Sequence, residues 1–208
     1  SAITLPVPRF APVTITVFFN KSMFFYRFFC MDKKMIIAFF GDSFTEGTPN
    51  SVDDPDIWPN IVGKHFEATV HNEYHPGGSN HAIMRKVVHY LMKNKPDLII
   101  VTWSHWNRSE IHYGEKAYQM QPKSKSFPSK LIRQHYNNMD MHQQHQDWVD
   151  KVWIVDELLK NKIPHFQWCA FPREMKYNMS FVPENWMPSA LMELMEDHTP
   201  CGHPTKIG

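Results

Sequence analysis

Met35-Ile36-Ile37-Ala38-Phe39-Phe40 is a continuous apolar run that stops abruptly at Gly41-Asp42-Ser43. A strand with one wet face alternates apolar and polar residues. A run without alternation has to be covered on both sides, as an inner strand of a parallel sheet is. The run therefore demands helices on both faces of a sheet, and the rest of the chain supplies candidates. Ile57, Trp58, Ile61, Val62, His65 and Phe66 recur at helical spacing, and Thr69–Tyr74 reads as a second, weaker strand. After the sharp turn Pro76-Gly77-Gly78-Ser79-Asn80, the residues Ile83, Val87, Tyr90 and Leu91 form another helical stripe, and Leu98–Trp103 is a third strand. Residues 104–128 read as a long polar loop of the kind that compact domains keep for binding. Trp148, Val152, Val155, Leu158 and Leu159 place a long helix from about Lys130 to Lys162, which Pro164 stops before a strand over 165–171. Leu191, Met192 and Met195 suggest one more short helix after Pro188.

Strands alternating with helices imply right-handed βαβ units. The expected fold is α/β: a three-layer α/β/α arrangement with a parallel, flavodoxin-like sheet of about five strands. In such sheets sites form beyond the carboxyl ends of the strands. That directs attention to Ser43, Gly78, the segment Ser104–Asn107 and the C-terminal tail.

Composition narrows the partners. Lys plus Arg number 22 against 21 for Asp plus Glu, a formal net charge of +1 that leaves no basic excess for a phosphate backbone, so nucleic acid is not an expected partner. Three cysteines, Cys30, Cys169 and Cys201, lack the even count and spacing of a disulfide framework and fit a thiol-reducing compartment. Residues 1–30 carry no acidic residue. Their aromatic run is broken by Asn20, Lys21 and Arg27, which suits neither a membrane span nor a secretory signal. Met31-Asp32-Lys33-Lys34-Met35 reads as an ordinary start before a strand, so residues 1–30 are expected to be a non-domain extension and 31–208 the domain. No credible signal leaves cytoplasm as the expected location.

A serine in Gly41-Asp42-Ser43, at the end of the first strand, presents its hydroxyl at the lip of the sheet with neighbouring N–H groups at hand. The same residues also make a turn and helix cap, since Asp and Ser favour both. The segment Phe40-Gly41-Asp42-Ser43-Phe44-Thr45-Glu46-Gly47 resembles the first block of the SGNH, or GDSL, hydrolases, a family of esterases and lipases, and the resemblance extends over roughly residues 35–208. It implies an esterase or lipase-type serine hydrolase with Ser43 as nucleophile. Gly78, or alternatively Gly77, in the block His75–Asn80 would join the Ser43 N–H in an oxyanion hole. Where the family has Gly-x-Asn-Asp, this chain has Trp103-Ser104-His105-Trp106-Asn107-Arg108-Ser109-Glu110. Asn107 is the expected third donor, with Ser104 or His105 as alternatives. Gly202-His203-Pro204 resembles the block of the general base, His203, while Pro200 stands where the family has Asp, so the orienting carboxylate is expected from Asp197.

Other readings compete. Arg108 and Glu110 are expected to pair and hold their loop, and Trp103 and Trp106 to be either core or a wall for stacking a ligand. His198-x-x-Cys201-x-His203 invites zinc, but its spacing is not a familiar zinc pattern. His142 and His145 read as a solvated helix face, and Cys169 as a buried small residue. No metal or cofactor is expected. The implied substrate is a small-molecule or carbohydrate ester, acyl or acetyl, turned over through an acyl-enzyme. The alternative is a catalytically silent module of the same fold that binds a glycan or a protein.

Overall fold

The structure is a computed structural model that describes residues 34–47, 53–113, 116–120 and 140–170, with the single positions 134, 138, 183, 185 and 186. Its elements are β1 (Ile36–Gly41), α1 (Ser43–Glu46), α2 (Trp58–His65), β2 (Thr69–Tyr74), α3 (Asn80–Leu91), β3 (Leu98–Trp103), β4 (Ser109–Tyr113), β5 (Lys116–Met120), α4 (Met141–Leu159) and β6 (His165–Cys169). Strands β2-β1-β3-β6 pair in that order, all parallel. The chain runs outward from β1 to β2 and then returns to place β3 on the other side of β1. The crevice at the carboxyl ends of β1 and β3 is therefore the topological switch point of the sheet.

Side chains of β1 and β3 alternate between two apolar layers, as strand geometry requires. Ala38, Phe40, Ile99, Val101 and Trp103 pack against Ile83, Val87 and Tyr90 of α3 and Trp148, Val152, Val155 and Leu159 of α4. Ile37, Phe39, Leu98 and Ile100 face the other way, against Trp58 and Val62 of α2 and the adjoining Phe66. Trp58 meets Phe39 and Trp168 edge-on, with ring centroids 5.1 and 5.2 Å away. Ile37, Ala38, Phe39 and Phe40 are wholly shielded from water, as the unbroken apolar run requires, and Cys169 is buried as well. Each fully buried large apolar side chain contributes roughly 1.5–3 kcal/mol. These layers, rather than helix propensity, hold a helix as short as α2 in place.

Three expectations are corrected. The sheet has four strands among the described residues, not about five. Among the described residues the edge beyond β6 is met by the bridge Gln167 to Trp186, with the Gln167 N–H donating to the Asn185 carbonyl at 3.1 Å. The segment read as a long polar loop contains the antiparallel hairpin β4–β5, in register from Ser109↔Met120 to Tyr113↔Lys116. Its strands are short and largely polar, so they carry no apolar run by which to recognise them. The helix read from about Lys130 is not continuous: Gln134 is helical, but α4 begins only at Met141, because Asp140 adopts an extended conformation and its carboxylate accepts the His142 and Gln143 N–H groups at 2.8 and 3.3 Å. That is an N-cap, and it sets the helix start. Residues 1–30 and the short helix read around Leu191–Met195 lie outside the described residues. No helix among the described residues is long and apolar enough to cross a membrane.

Candidate active site

Gly41 closes β1, and α1 begins two residues later, folded straight back onto the strand end. A Cβ at Gly41 would lie 2.0 Å from Thr45 Oγ1 and 3.1 Å from the Thr102 carbonyl, so only glycine permits this approach. Asp42 caps α1. Its carboxylate, without solvent exposure, accepts the Phe44 N–H at 3.0 Å through Oδ1. Through Oδ2 it accepts the Ser104 hydroxyl and the Arg108 guanidinium, each at 2.7 Å. Ser43 is the first helical residue and is 6% exposed. Gly47, at φ 87°, closes the turn by donating its N–H to the Ser43 carbonyl at 3.1 Å. The Trp58 indole donates to the Phe44 carbonyl at 2.9 Å and the Asn72 amide to the Thr45 carbonyl at 2.8 Å. Cap, strand end and both flanking elements thus fix the turn that carries Ser43.

The second loop leaves β2 beside this turn, with the His75 N–H donating to the Gly41 carbonyl at 2.8 Å. Gly77 is left-handed at φ 65°, and the Gly78 N–H donates back to the His75 carbonyl at 2.8 Å. A Cβ at Gly78 would lie 2.7 Å from that carbonyl oxygen. Ser79 caps α3, its hydroxyl accepting the Ala82 N–H at 3.1 Å, and its own N–H donates to Gln119 Oε1 at 2.7 Å. Burial, and after it the Lys86 charge, lower the His75 pKa, with Glu110 opposing.

The third loop follows β3. Asn80, buried in the first turn of α3, accepts the Ser104 N–H at 2.8 Å and donates to the Ser104 and His105 carbonyls at 3.2 and 3.1 Å. Residues 105–108 form a turn in which the Arg108 N–H donates to the His105 carbonyl at 3.0 Å, and the Asn107 N–H to His105 Nδ1 at 3.3 Å. Arg108 and Glu110 go to different partners, correcting the expectation that they pair with each other. Arg108 reaches Asp42, while both oxygens of Glu110 receive the Arg85 guanidinium, joined by Gln119 at 3.1 Å and His112 at 3.3 Å. Burial pushes the Glu110 pKa up, but the hydrogen bonds from Arg85, Gln119 and His112 outweigh it and hold the group at about 2. This cluster fastens the β4–β5 hairpin to α3.

Trp103 and Trp106 belong to the core, at 0% and 5% exposure, and offer no stacking wall. His142 is exposed as expected, whereas the ring of His145 packs 6.4 Å from Trp106 and 5.5 Å from Trp148 by centroids, and burial lowers its pKa. No group of three metal-ligating side chains occurs among the described residues. Ser43, Gly78 and Asn107 therefore stand on the three loops that follow β1, β2 and β3, while His203, Asp197 and the His198-x-x-Cys201-x-His203 run lie outside the described residues. What sequence reading missed is that Ser104 and Arg108 act together on Asp42, with Asn80 holding the Ser104 backbone in place. The sequence signal is partial: a carboxylate at the end of a buried strand calls for hydrogen-bond donors, but that the loop after β3 supplies them follows from β3 lying beside β1.

Comparison with known proteins yields distant structural neighbours. No family model matches the chain, and no curated protein does. Among solved structures, the chain is similar to the SGNH-hydrolase family esterase AlinE4, at 19% identity and a TM-score of 0.41 over 66% of this chain and 60% of that one. A point mutant of that esterase aligns at 18% identity and a TM-score of 0.40, over the same shares of the two chains. A lipolytic protein of the G-D-S-L family from Desulfitobacterium hafniense DCB-2 aligns at 13% identity and a TM-score of 0.33, over 64% of this chain and 77% of that one. The aligned part spans about 60% of the length of AlinE4.

Proposed function

We propose that the chain is a serine ester hydrolase of SGNH type acting on acyl or acetyl esters, acetylated carbohydrates among them. One observation carries this reading: Ser43 opens α1 at the switch point of a parallel sheet, on a turn that the buried Asp42 caps and that the loop after β3 holds through the same carboxylate. A fixed turn at that place costs no reorganisation when charge develops beside it, which is what acyl transfer rewards.

In the reaction the Ser43 hydroxyl oxygen bonds to the ester carbonyl carbon as its proton passes to His203, which Asp197 orients. Charge gathers on the former carbonyl oxygen. The N–H of Ser43 receives it, with Gly78 and Asn107 as the further donors, the Gly78 N–H being shared with the His75 carbonyl. Collapse breaks the bond to the alcohol oxygen, which takes the proton from His203, and leaves an acyl-enzyme. Water, deprotonated by His203, repeats the sequence and frees the acid and Ser43. The burial of Trp103 and Trp106 takes two aromatic rings from the loop through which the alternative, a silent glycan-binding module, would hold its ligand, while Pro200, the best support for that alternative, lies outside the described residues.

The test is hydrolysis of para-nitrophenyl acetate and butyrate by the full chain, with fluorophosphonate labelling, in the parent and in Ser43→Ala and His203→Ala. Turnover and labelling that disappear with Ser43 and fall steeply with His203 are the expected result. A folded parent that neither turns over nor takes the label rejects the proposal.

A further inference from the structure

We propose that Arg108 is a positioning residue for Ser43, acting through Asp42 and making the placement of the nucleophile depend on the loop after β3. The inference rests on the reading of Ser43 as nucleophile. It begins from how little holds α1 by itself. A helix of four residues lies below the length that sustains itself, so its course is set from outside: Trp58 and Asn72 hold its carbonyls, and its amino end, which bears Ser43, is set by its cap. That cap is Asp42, one residue from Ser43. Only one of its oxygens faces α1, accepting the Phe44 N–H, and the other is taken by Ser104 and Arg108.

The Arg108 side chain is 13% exposed and the Asp42 side chain 0%, so the pair is shielded from solvent screening and its charge-assisted hydrogen bond is a strong one. Arg108 also closes the turn that contains Asn107, through its N–H to the His105 carbonyl. One residue thereby joins the turn bearing the nucleophile to the loop bearing a proposed oxyanion donor. Moving Arg108 moves both against each other, whereas Ser104 alone, a neutral hydroxyl on a flexible bond, offsets only part of the buried charge. A change of this kind alters how often Ser43 is aligned for attack. It leaves the binding of the ester group largely alone, so it acts on kcat rather than on KM.

The experiment compares Arg108→Ala, Arg108→Lys and Arg85→Ala with the parent, by kcat and KM on para-nitrophenyl butyrate, the rate of fluorophosphonate labelling of Ser43, and thermal unfolding. Arg85 is the control, because it too is a partly buried arginine paired with a carboxylate, Glu110, but lies outside the Asp42 network. Arg108→Ala is expected to lower kcat and the labelling rate about 10- to 100-fold, the scale of a small misplacement of a reacting group, with KM changed by no more than about twofold. Millimolar guanidinium, well below denaturing levels, is expected to restore part of that kcat. Arg108→Lys keeps the charge without the planar fork and is expected to retain an intermediate kcat, several-fold below the parent, at nearly parental melting temperature. Arg85→Ala is expected to lower the melting temperature and leave kcat in place. A parental kcat in Arg108→Ala overturns the inference. So does an equal loss in Arg85→Ala, or a loss that appears in KM alone. If Arg108→Ala does not fold, Arg108→Lys decides, and a parental kcat there overturns it too. A parent that takes no label at Ser43 rejects the hydrolase reading and this inference with it, whereas a labelled parent indifferent to Arg108 rejects this inference alone.

Discussion

Asn80 holds Ser104 by both sides of its backbone: Oδ1 accepts the Ser104 N–H at 2.8 Å while Nδ2 donates to the Ser104 carbonyl at 3.2 Å. The amide thus replaces a strand partner where β3 ends, and it lets the chain leave the sheet without orphaned polar groups. Asn80→Ala leaves the Ser104 N–H buried and unpaired, at a cost of about 1–3 kcal/mol. Urea unfolding should show a lower midpoint with an unchanged slope. Asn80→Asp should not repair the loss at neutral pH, since a carboxylate oxygen would then face the Ser104 and His105 carbonyls. Parental stability in either variant would contradict the role given to this amide.

Glu110 predicts an acid-sensitive hairpin. Its pKa is held at about 2 in the folded chain against an ordinary 4.5, so the unfolded chain binds its proton more readily. Stability from this group is complete above about pH 4.5 and is lost as pH falls towards about 2. Melting temperature measured down this range should fall less steeply in Glu110→Gln than in the parent, and the two curves should converge at the acid end. Parallel curves throughout would count against the network around Glu110.

At the opposite edge of the sheet, His165 Nε2 lies 2.9 Å from Asp156 Oδ1, and His165 Nδ1 lies 3.1 Å from the Ile163 carbonyl. A carbonyl only accepts, so Nδ1 carries a proton. Gln167 completes the cluster, donating to Asp156 Oδ1 at 3.4 Å and accepting the Trp103 indole N–H at 2.9 Å. Removing one member of a buried hydrogen-bonded pair costs about 1–3 kcal/mol, because the other is left unsatisfied. His165→Ala should show a loss of that order in denaturant unfolding. His165 opens β6 and so sits at the amino end of the sheet, away from Ser43, and fluorophosphonate labelling per folded molecule should be unchanged. Labelling that falls in step with stability would mean that the two ends are coupled.

Gly41→Ala tests the close approach of α1 to β1. The new methyl would overlap Thr45 Oγ1 at 2.0 Å and Thr45 Cβ at 2.9 Å. Overpacking of this kind costs about 1–3 kcal/mol. Ser43 labelling should slow markedly, since α1 has to shift. Adding Thr45→Ala removes the hydroxyl but leaves Cβ in the way, so it should recover the loss only in part.

Much of the scaffold was legible because it is written in local patterns. The unbroken apolar run ending at Phe40, the helical stripe Ile83-Val87-Tyr90-Leu91 and the second strand at Thr69–Tyr74 all stand where their periodicities put them. The misreadings have local causes as well. The β4–β5 hairpin was hidden by polar side chains whose partners come from α3 rather than from an apolar layer. Apolar spacing does not register a cap such as Asp140, so it carries the long helix past its start.

By itself the sequence determined a parallel α/β sheet and a Gly41-Asp42-Ser43 turn at the end of its first strand, since burial on two faces and turn chemistry are properties of neighbouring residues. It did not determine which groups would meet at that turn. Ser104 and Arg108 reach Asp42 from 62 and 66 positions away, and they do so because β3 lies parallel to β1 in a register that sets Phe40 beside Val101 and delivers both loops to one crevice. Arg108 and Glu110, two residues apart, were separated for the same reason: a buried carboxylate takes the donor that the tertiary packing brings to it, and adjacency in the chain carries no weight in that choice.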